Sequence, residues 1–136
     1  MKKELEKGIA NLFKLKGECY MHIIHDLELS EMSIKQINYL KKFKASEGIT
    51  TSQLADILNL SKPTVTEMVK KFIKMDCVYK ESCHMDKRVY YLKLTDKGRN
   101  IVNIEQKTIA YLAQQLENRL EEEEIETLID ILSKIE

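Results

Sequence analysis

The chain has 136 residues, 43% of them apolar and 32% charged, with 22 basic side chains balancing 22 acidic ones. That length suits a single domain, 1–136, able to bury a core, and the composition excludes a disordered chain. No apolar run approaches the length a bilayer requires, so no membrane partner is expected.

The zero net charge is unevenly spread. Residues 51–99 carry ten Lys and Arg against six Asp and Glu, residues 1–50 nine against seven, and residues 100–136 three against nine. A basic middle with an acidic tail fits a local phosphate-binding face, although two ordinary solvated surfaces would carry the same charges. The start "MKKELEKGIANLF" is basic, but Glu4, Glu6 and Lys7 interrupt any signal-peptide apolar stretch, so a cytoplasmic protein is expected. Three cysteines argue against a disulfide framework.

In chain order, Leu5, Ile9, Leu12, Phe13, Tyr20, Ile23 and Leu27 form one stripe of a long first helix. Ser33 with Gln36 makes a capping box for a second helix, in which Ile34, Ile37 and Leu40 are grouped by spacing. Thr50 with Gln53 repeats the device for a third helix ending near Asn59. Ser61 opens a fourth with Pro63 in its first turn, where the missing N–H costs nothing. Val65, Met68, Val69 and Phe72 face its core, and it stops around Asp76.

The stretch from Val78 to Leu94 reads as a hairpin, with Tyr90, Leu92 and Leu94 alternating on a half-buried strand. Thr95 caps a long helix carrying Ile101, Ile104, Leu112 and Leu116, and a last helix carries Ile125, Leu128, Ile129, Leu132 and Ile135. The predicted class is mainly α with a small β-hairpin, in the order α-α-α-α-β-β-α-α.

Residues 51–70, "TSQLADILNLSKPTVTEMVK", have the logic of a helix-turn-helix. Ala55 is small where two helices would cross, and Asn59 tolerates the left-handed backbone of the turn. A plain αα-hairpin would share these features, but the following hairpin turns the pair into a winged helix. With the apolar side of the fourth helix inward, Ser61, Lys62, Thr64 and Thr66 lie where a recognition helix meets base edges or phosphates, with Pro63 between them. Lys70 and Lys71 suit backbone phosphate. At the hairpin tip, Arg88 suits insertion into the adjacent minor groove, and Asp86 suits bracing Arg88 or the turn. An exposed turn without a role is the competing reading.

These features resemble the MarR family of transcriptional regulators over essentially the whole chain. The resemblance rests on the helix-turn-helix followed by Asp86, Lys87 and Arg88 in the wing and then Leu94, Thr95, Asp96, Lys97 and Gly98. Asp76 departs from the glycine the family usually has before the wing, and Glu121 from its usual helix cap. The resemblance implies a winged helix-turn-helix DNA-binding lobe at residues 33–95 and a helical dimerisation lobe at residues 1–29 and 96–136. It also implies a homodimer, double-stranded DNA as partner, and a small-molecule effector bound between the lobes; Phe13, Tyr20, Tyr39 and Tyr111 are candidate lining residues and equally ordinary core.

The dimer also follows from size. A first helix of about 26 residues would be about 39 Å long, whereas a compact domain of this length has a radius of gyration of about 14 Å. A second copy would cover the excess apolar stripe.

Two side-chain groups suggest a sensor. Cys19, His22 and Asp26 share one side of the first helix, as metal ligands can, but also as rim residues of a dimer core do. Cys83 beside His84 could form a reactive thiolate near DNA, or be an ordinary surface cysteine. No metal or cofactor is assigned. No nucleophile–base set, phosphate-cradling glycine loop or paired catalytic carboxylates is present, so an enzyme is not expected. The expected function is a sequence-specific DNA-binding transcriptional regulator: a homodimeric repressor on a pseudo-palindromic operator, released by an effector. The alternatives are a winged helix that docks proteins without DNA, and a thiol- or metal-responsive regulator using Cys19 and His22 or Cys83 and His84.

Overall fold

The computed structural model describes residues 1–29 and 31–136, which divide into two compact units, Leu27–Asn103 and Met1–Asp26 with Ile104–Glu136. The elements are α1 (Lys2–Asp26), α2 (Ile34–Phe43), α3 (Thr51–Leu58), α4 (Lys62–Lys74), β1 (Val78–Ser82), β2 (Tyr90–Leu94), α5 (Asp96–Val102), α6 (Ile104–Arg119) and α7 (Glu122–Leu132). Short 3-10 turns lie at Lys44–Ser46 and Ser133–Ile135. The chain is therefore mainly helical with one hairpin wing, as its patterning predicts. Among the described residues, no helix is long and apolar enough to cross a membrane.

One element differs from expectation. The helix that periodicity makes continuous from Thr95 is two, because Asn103 closes α5 at φ −96° and ψ 12°. The Lys44 ammonium takes the Asn103 side-chain oxygen at 2.6 Å. Three helices thus follow the hairpin instead of two.

In the unit Leu27–Asn103, local signals set the helix ends. The Gln36 N–H donates to Ser33 Oγ at 3.1 Å while the Ser33 N–H donates back to Gln36 Oε1 at 3.0 Å. Thr50 and Gln53 make the same exchange at 3.2 and 3.0 Å. Each box satisfies amide donors that a helix start otherwise leaves free. Asn59 sits at φ 54° and ψ 44° after α3, the left-handed turn that a helix-turn-helix requires.

Ile37, Leu40 and Phe43 of α2, Leu54 and Ala55 of α3, and Val65, Val69 and Phe72 of α4 are all buried. Each large apolar side chain so removed from water contributes about 1.5–3 kcal/mol. Ile34 is 73% exposed. Steps of three residues drift by about 60° on a helix, which carries Ile34 about 120° from Leu40.

The wing pairs β1 with β2 in antiparallel register from Val78↔Leu94 to Ser82↔Tyr90. Gly48 and Ile49 add a bridge to its inner strand: the Gly48 N–H donates to Leu92 O at 2.6 Å and the Leu92 N–H to Ile49 O at 2.8 Å. Leu92 and Leu94 are buried. At the wing's base the Thr95 hydroxyl donates to Asp76 O at 2.6 Å and accepts the Gly98 N–H at 3.0 Å. Gly98 lies against the Cys77 carbonyl so closely that a Cβ has no room. Asp76 takes φ 59°, a backbone that glycine adopts more easily.

The unit of α1, α6 and α7 buries little. Cys19 and Ile24 are the buried residues of α1, Ile104 and Thr108 those of α6, and α7 has none. Leu5, Ile9, Leu12 and Phe13 remain exposed, as do Ile129, Ile131, Leu132 and Ile135. The Glu121 N–H donates to Glu124 Oε2 at 2.9 Å, so a pair of glutamates forms the capping box that starts α7 in place of a serine, threonine or aspartate cap.

Candidate nucleic-acid interface

The N-terminus of α4 is built by its cap. Ser61 Oγ accepts the Thr64 N–H at 3.3 Å and lies 2.7 Å from Thr64 Oγ1. Pro63 stiffens the first turn without removing a needed donor. Ser61, Lys62, Pro63 and Thr64 are exposed, and Thr66 is half-buried. The Thr66 hydroxyl donates to Lys62 O at 2.9 Å. Its hydrogen is therefore spent on the helix, leaving oxygen lone pairs and the methyl group to meet a partner.

Lys70 pairs with Glu67 at 3.1 Å across a solvent-exposed turn. Such a pair contributes little to stability and is easily exchanged for a phosphate. Lys71 is exposed. With Pro63 and Thr64 it borders a groove of about 670 Å³ that is also lined by Ser33, the cap of α2, and by Gln36 and Tyr39 of α2.

The wing tip, residues 83–89, is closed by the Val89 N–H donating to Asp86 O at 3.0 Å. Asp86 Oδ1 accepts the Arg88 N–H at 3.0 Å and Nε at 3.1 Å, and Oδ2 accepts Nη2 at 3.1 Å. The guanidinium is thus held side-on by a carboxylate, and those bonds keep the Asp86 carboxyl below its ordinary pKa. The Arg88 side chain is nevertheless 91% exposed, and Lys87 beside it is exposed too.

Lys62 and Arg88 border one cleft of about 380 Å³. Its other walls include Thr51 and Ser52 of α3, Lys80 of β1 and Tyr90 of β2. Sequence patterning placed Tyr90 only on the half-buried strand, where it is in fact 47% exposed, and did not single out the other three. The available signal was the outward place of Lys80 on β1 and the hydroxyl pair following the Thr50 cap.

Neither suggested sensor cluster has the form the sequence suggests. Cys19 is buried, which raises its thiol pKa, while His22 stacks on Tyr111 at 4.3 Å and meets Asp26 at 3.2 Å. Among the described residues no three His, Cys, Asp or Glu side chains are grouped to hold a metal ion. Cys83 is partly exposed, and its thiol pKa is lowered, first by the Asp86 backbone N–H, then by that of Met85, with the Tyr91 hydroxyl adding to them. Backbone amides rather than His84 are therefore the cause.

The chain is similar to known proteins in sequence and in fold. Residues 32–90 match the MarR family model. Over 133 residues the chain is 27% identical to the HTH-type transcriptional regulator TcaR of Staphylococcus aureus (strain Newman), covering 96% of this chain and 85% of that protein. Among solved structures, a MepR–DNA complex from S. aureus aligns with a TM-score of 0.60 at 22% identity, covering 98% of this chain and 96% of that one. The YusO protein from Bacillus subtilis aligns with a TM-score of 0.64 at 20% identity, covering 98% and 93%. Likeness at these identities establishes the fold.

Proposed function

We propose that this chain, whose residues 32–90 match the MarR family model and which is similar to a transcriptional regulator, is a DNA-binding transcription regulator rather than an enzyme, acting as a homodimeric, cytoplasmic repressor on a pseudo-palindromic duplex operator and released by an effector. The observation that carries the DNA-contact assignment is the shared cleft: the α4 N-terminus and the wing tip, both exposed, meet around Lys62 and Arg88. In this reading Ser61, Lys62, Thr64 and Thr66 enter the major groove, with Pro63 fixing the turn that presents them. Lys70, Lys71 and Lys87 lie on backbone phosphates. Arg88 reaches the adjacent minor groove, aimed by Asp86. The fold likeness to a MepR–DNA complex supports DNA as the partner.

The dimer reading draws its support from the apolar faces left open. Leu5 and Phe13 of α1 are 63% and 68% exposed, and Ile135, just after α7, is 73% exposed. On a two-fold operator the recognition helices of a dimer meet half-sites about 34–36 Å apart, one turn of DNA. Exposed apolar area of this kind marks an association surface. Sedimentation velocity with a fluorescent duplex tests the reading. Two protomers per duplex are expected, with affinity falling steeply as salt rises; one protomer per duplex, or salt-independent binding, contradicts it.

Cys83 favours one narrower reading of the effector. A thiol with a lowered pKa three residues before Asp86 is suited to respond to oxidants or electrophiles. Peroxide treatment should then weaken operator binding, and Cys83→Ser should abolish that response; a response unchanged in Cys83→Ser would end this reading.

A further inference from the structure

We infer that the cleft between α3, α4 and the wing seats one backbone phosphate of the strand dividing the two grooves the protein occupies. This rests on the DNA-binding reading above and extends it to three residues that no sequence pattern assigned: Lys80, Thr51 and Ser52. Neighbouring major and minor grooves of a duplex are separated by a single sugar–phosphate strand. A protein that lays the start of α4 into one groove and Arg88 into the other must straddle that strand. The strand therefore passes between Lys62 and Arg88, and what lies between them is the cleft of about 380 Å³.

The chemistry of the walls matches a phosphodiester. Lys62 of α4, Lys80 of β1 and Arg88 of the wing tip all line it, and among the described lining residues none is acidic. The Arg88 charge is paired with Asp86, so Lys62 and Lys80 carry the uncompensated charge at this cleft, and an anion between them relieves their mutual repulsion. Lys80 lies with its ammonium 5.7 Å from the centroid of the Tyr90 ring, an aromatic face that orients a cation.

The first turn of α3 forms the remaining wall. Its capping box occupies the Thr50 and Gln53 amides, whereas Thr51 and Ser52 stand at the first two helical positions. Amides at those positions point outward from the helix start and add to the positive potential that the cations set up. Lys80, the Thr51 and Ser52 amides and the Ser52 hydroxyl are the phosphate's contacts, with Lys62 closing the major-groove side.

The test uses full-length protein and a duplex selected from a random library, with single methylphosphonates walked along each strand to remove one phosphate charge at a time. Wild-type protein should lose about tenfold in affinity at one phosphate per half-site. Lys80→Ala should lose about as much on unmodified duplex, lower the salt slope by about 0.9 per protomer, and become insensitive to that one methylphosphonate. Ser52→Ala should weaken binding in the same position-specific way, and both variants should melt at the wild-type temperature, since both side chains are exposed. If wild-type protein binds the duplex but Lys80→Ala keeps its affinity, slope and full methylphosphonate profile, the seat is overturned while the DNA-binding reading stands. If no duplex is selected at all, that underlying reading fails and takes the seat with it.

Discussion

The Asp86 carboxylate grips Arg88 at three points, its backbone N–H, Nε and Nη2, at 3.0, 3.1 and 3.1 Å. The grip makes the wing tip a fixed projection, since the chain turn and the guanidinium share one acceptor. Fork-to-carboxylate bonding orients a side chain that would otherwise sample many rotamers. Arg88→Ala should weaken operator binding at least tenfold with no change in melting temperature, because the side chain is 91% exposed. Asp86→Asn, which keeps the shape but weakens the hold, should cost less affinity than Arg88→Ala.

The same pair carries a pH expectation. The Arg88 bonds hold the folded-state Asp86 pKa below its ordinary value. A depressed carboxyl pKa means the interaction is fully present above the unfolded value, near 3.9, and is lost only as pH falls through the folded value. Arg88-dependent affinity should therefore be level between pH 8 and about pH 5. A decline over that range that vanishes in Asp86→Asn would contradict the brace.

Gly98 fixes the base of the wing. Its N–H reaches Thr95 Oγ1 at 3.0 Å, and any Cβ would run into the Cys77 carbonyl. Gly98→Ala should destabilise the protein by roughly 1–3 kcal/mol, the usual cost of overpacking against groups that cannot retreat. Thermal unfolding measures this directly; an unchanged melting temperature would mean that the close approach does not exist.

The three thiols should differ sharply in reactivity. Burial raises the Cys19 and Cys77 pKa values, whereas the Asp86 and Met85 amides lower that of Cys83. Iodoacetamide followed by peptide mass mapping should label Cys83 first, with its rate rising at lower pH than that of an ordinary thiol. Equal labelling of all three would contradict the assignment.

What the sequence made legible was local. Ser33 with Gln36, Thr50 with Gln53, and Ser61 each announce a helix start within four residues, and all three caps form. The left-handed turns at Asn59 and Asp76 follow from side chains that tolerate them. The inward alternation of Leu92 and Leu94 likewise needs only the period of a strand.

What stayed hidden depends on residues distant in sequence. The break at Asn103 involves Lys44, and the Leu94 N–H is taken by the Glu47 carboxylate at 3.0 Å, a residue that also meets Arg99. Thr51, Ser52 and Lys80 become one surface only when the wing lies beside the start of α3. A thiol pKa set by the amides of its own turn is equally invisible until the turn is built.

Selection of bound fragments from a random duplex library tests the central claim most directly. A two-fold pair that presents Ser61–Thr66 and Arg88 to duplex DNA should enrich inverted repeats whose half-site centres lie about 10–10.5 base pairs apart or at a multiple of that distance. Arg88→Ala should enrich the same repeats more weakly. Recovery of solitary, asymmetric sites, or of no enriched sequence at all, would contradict the account.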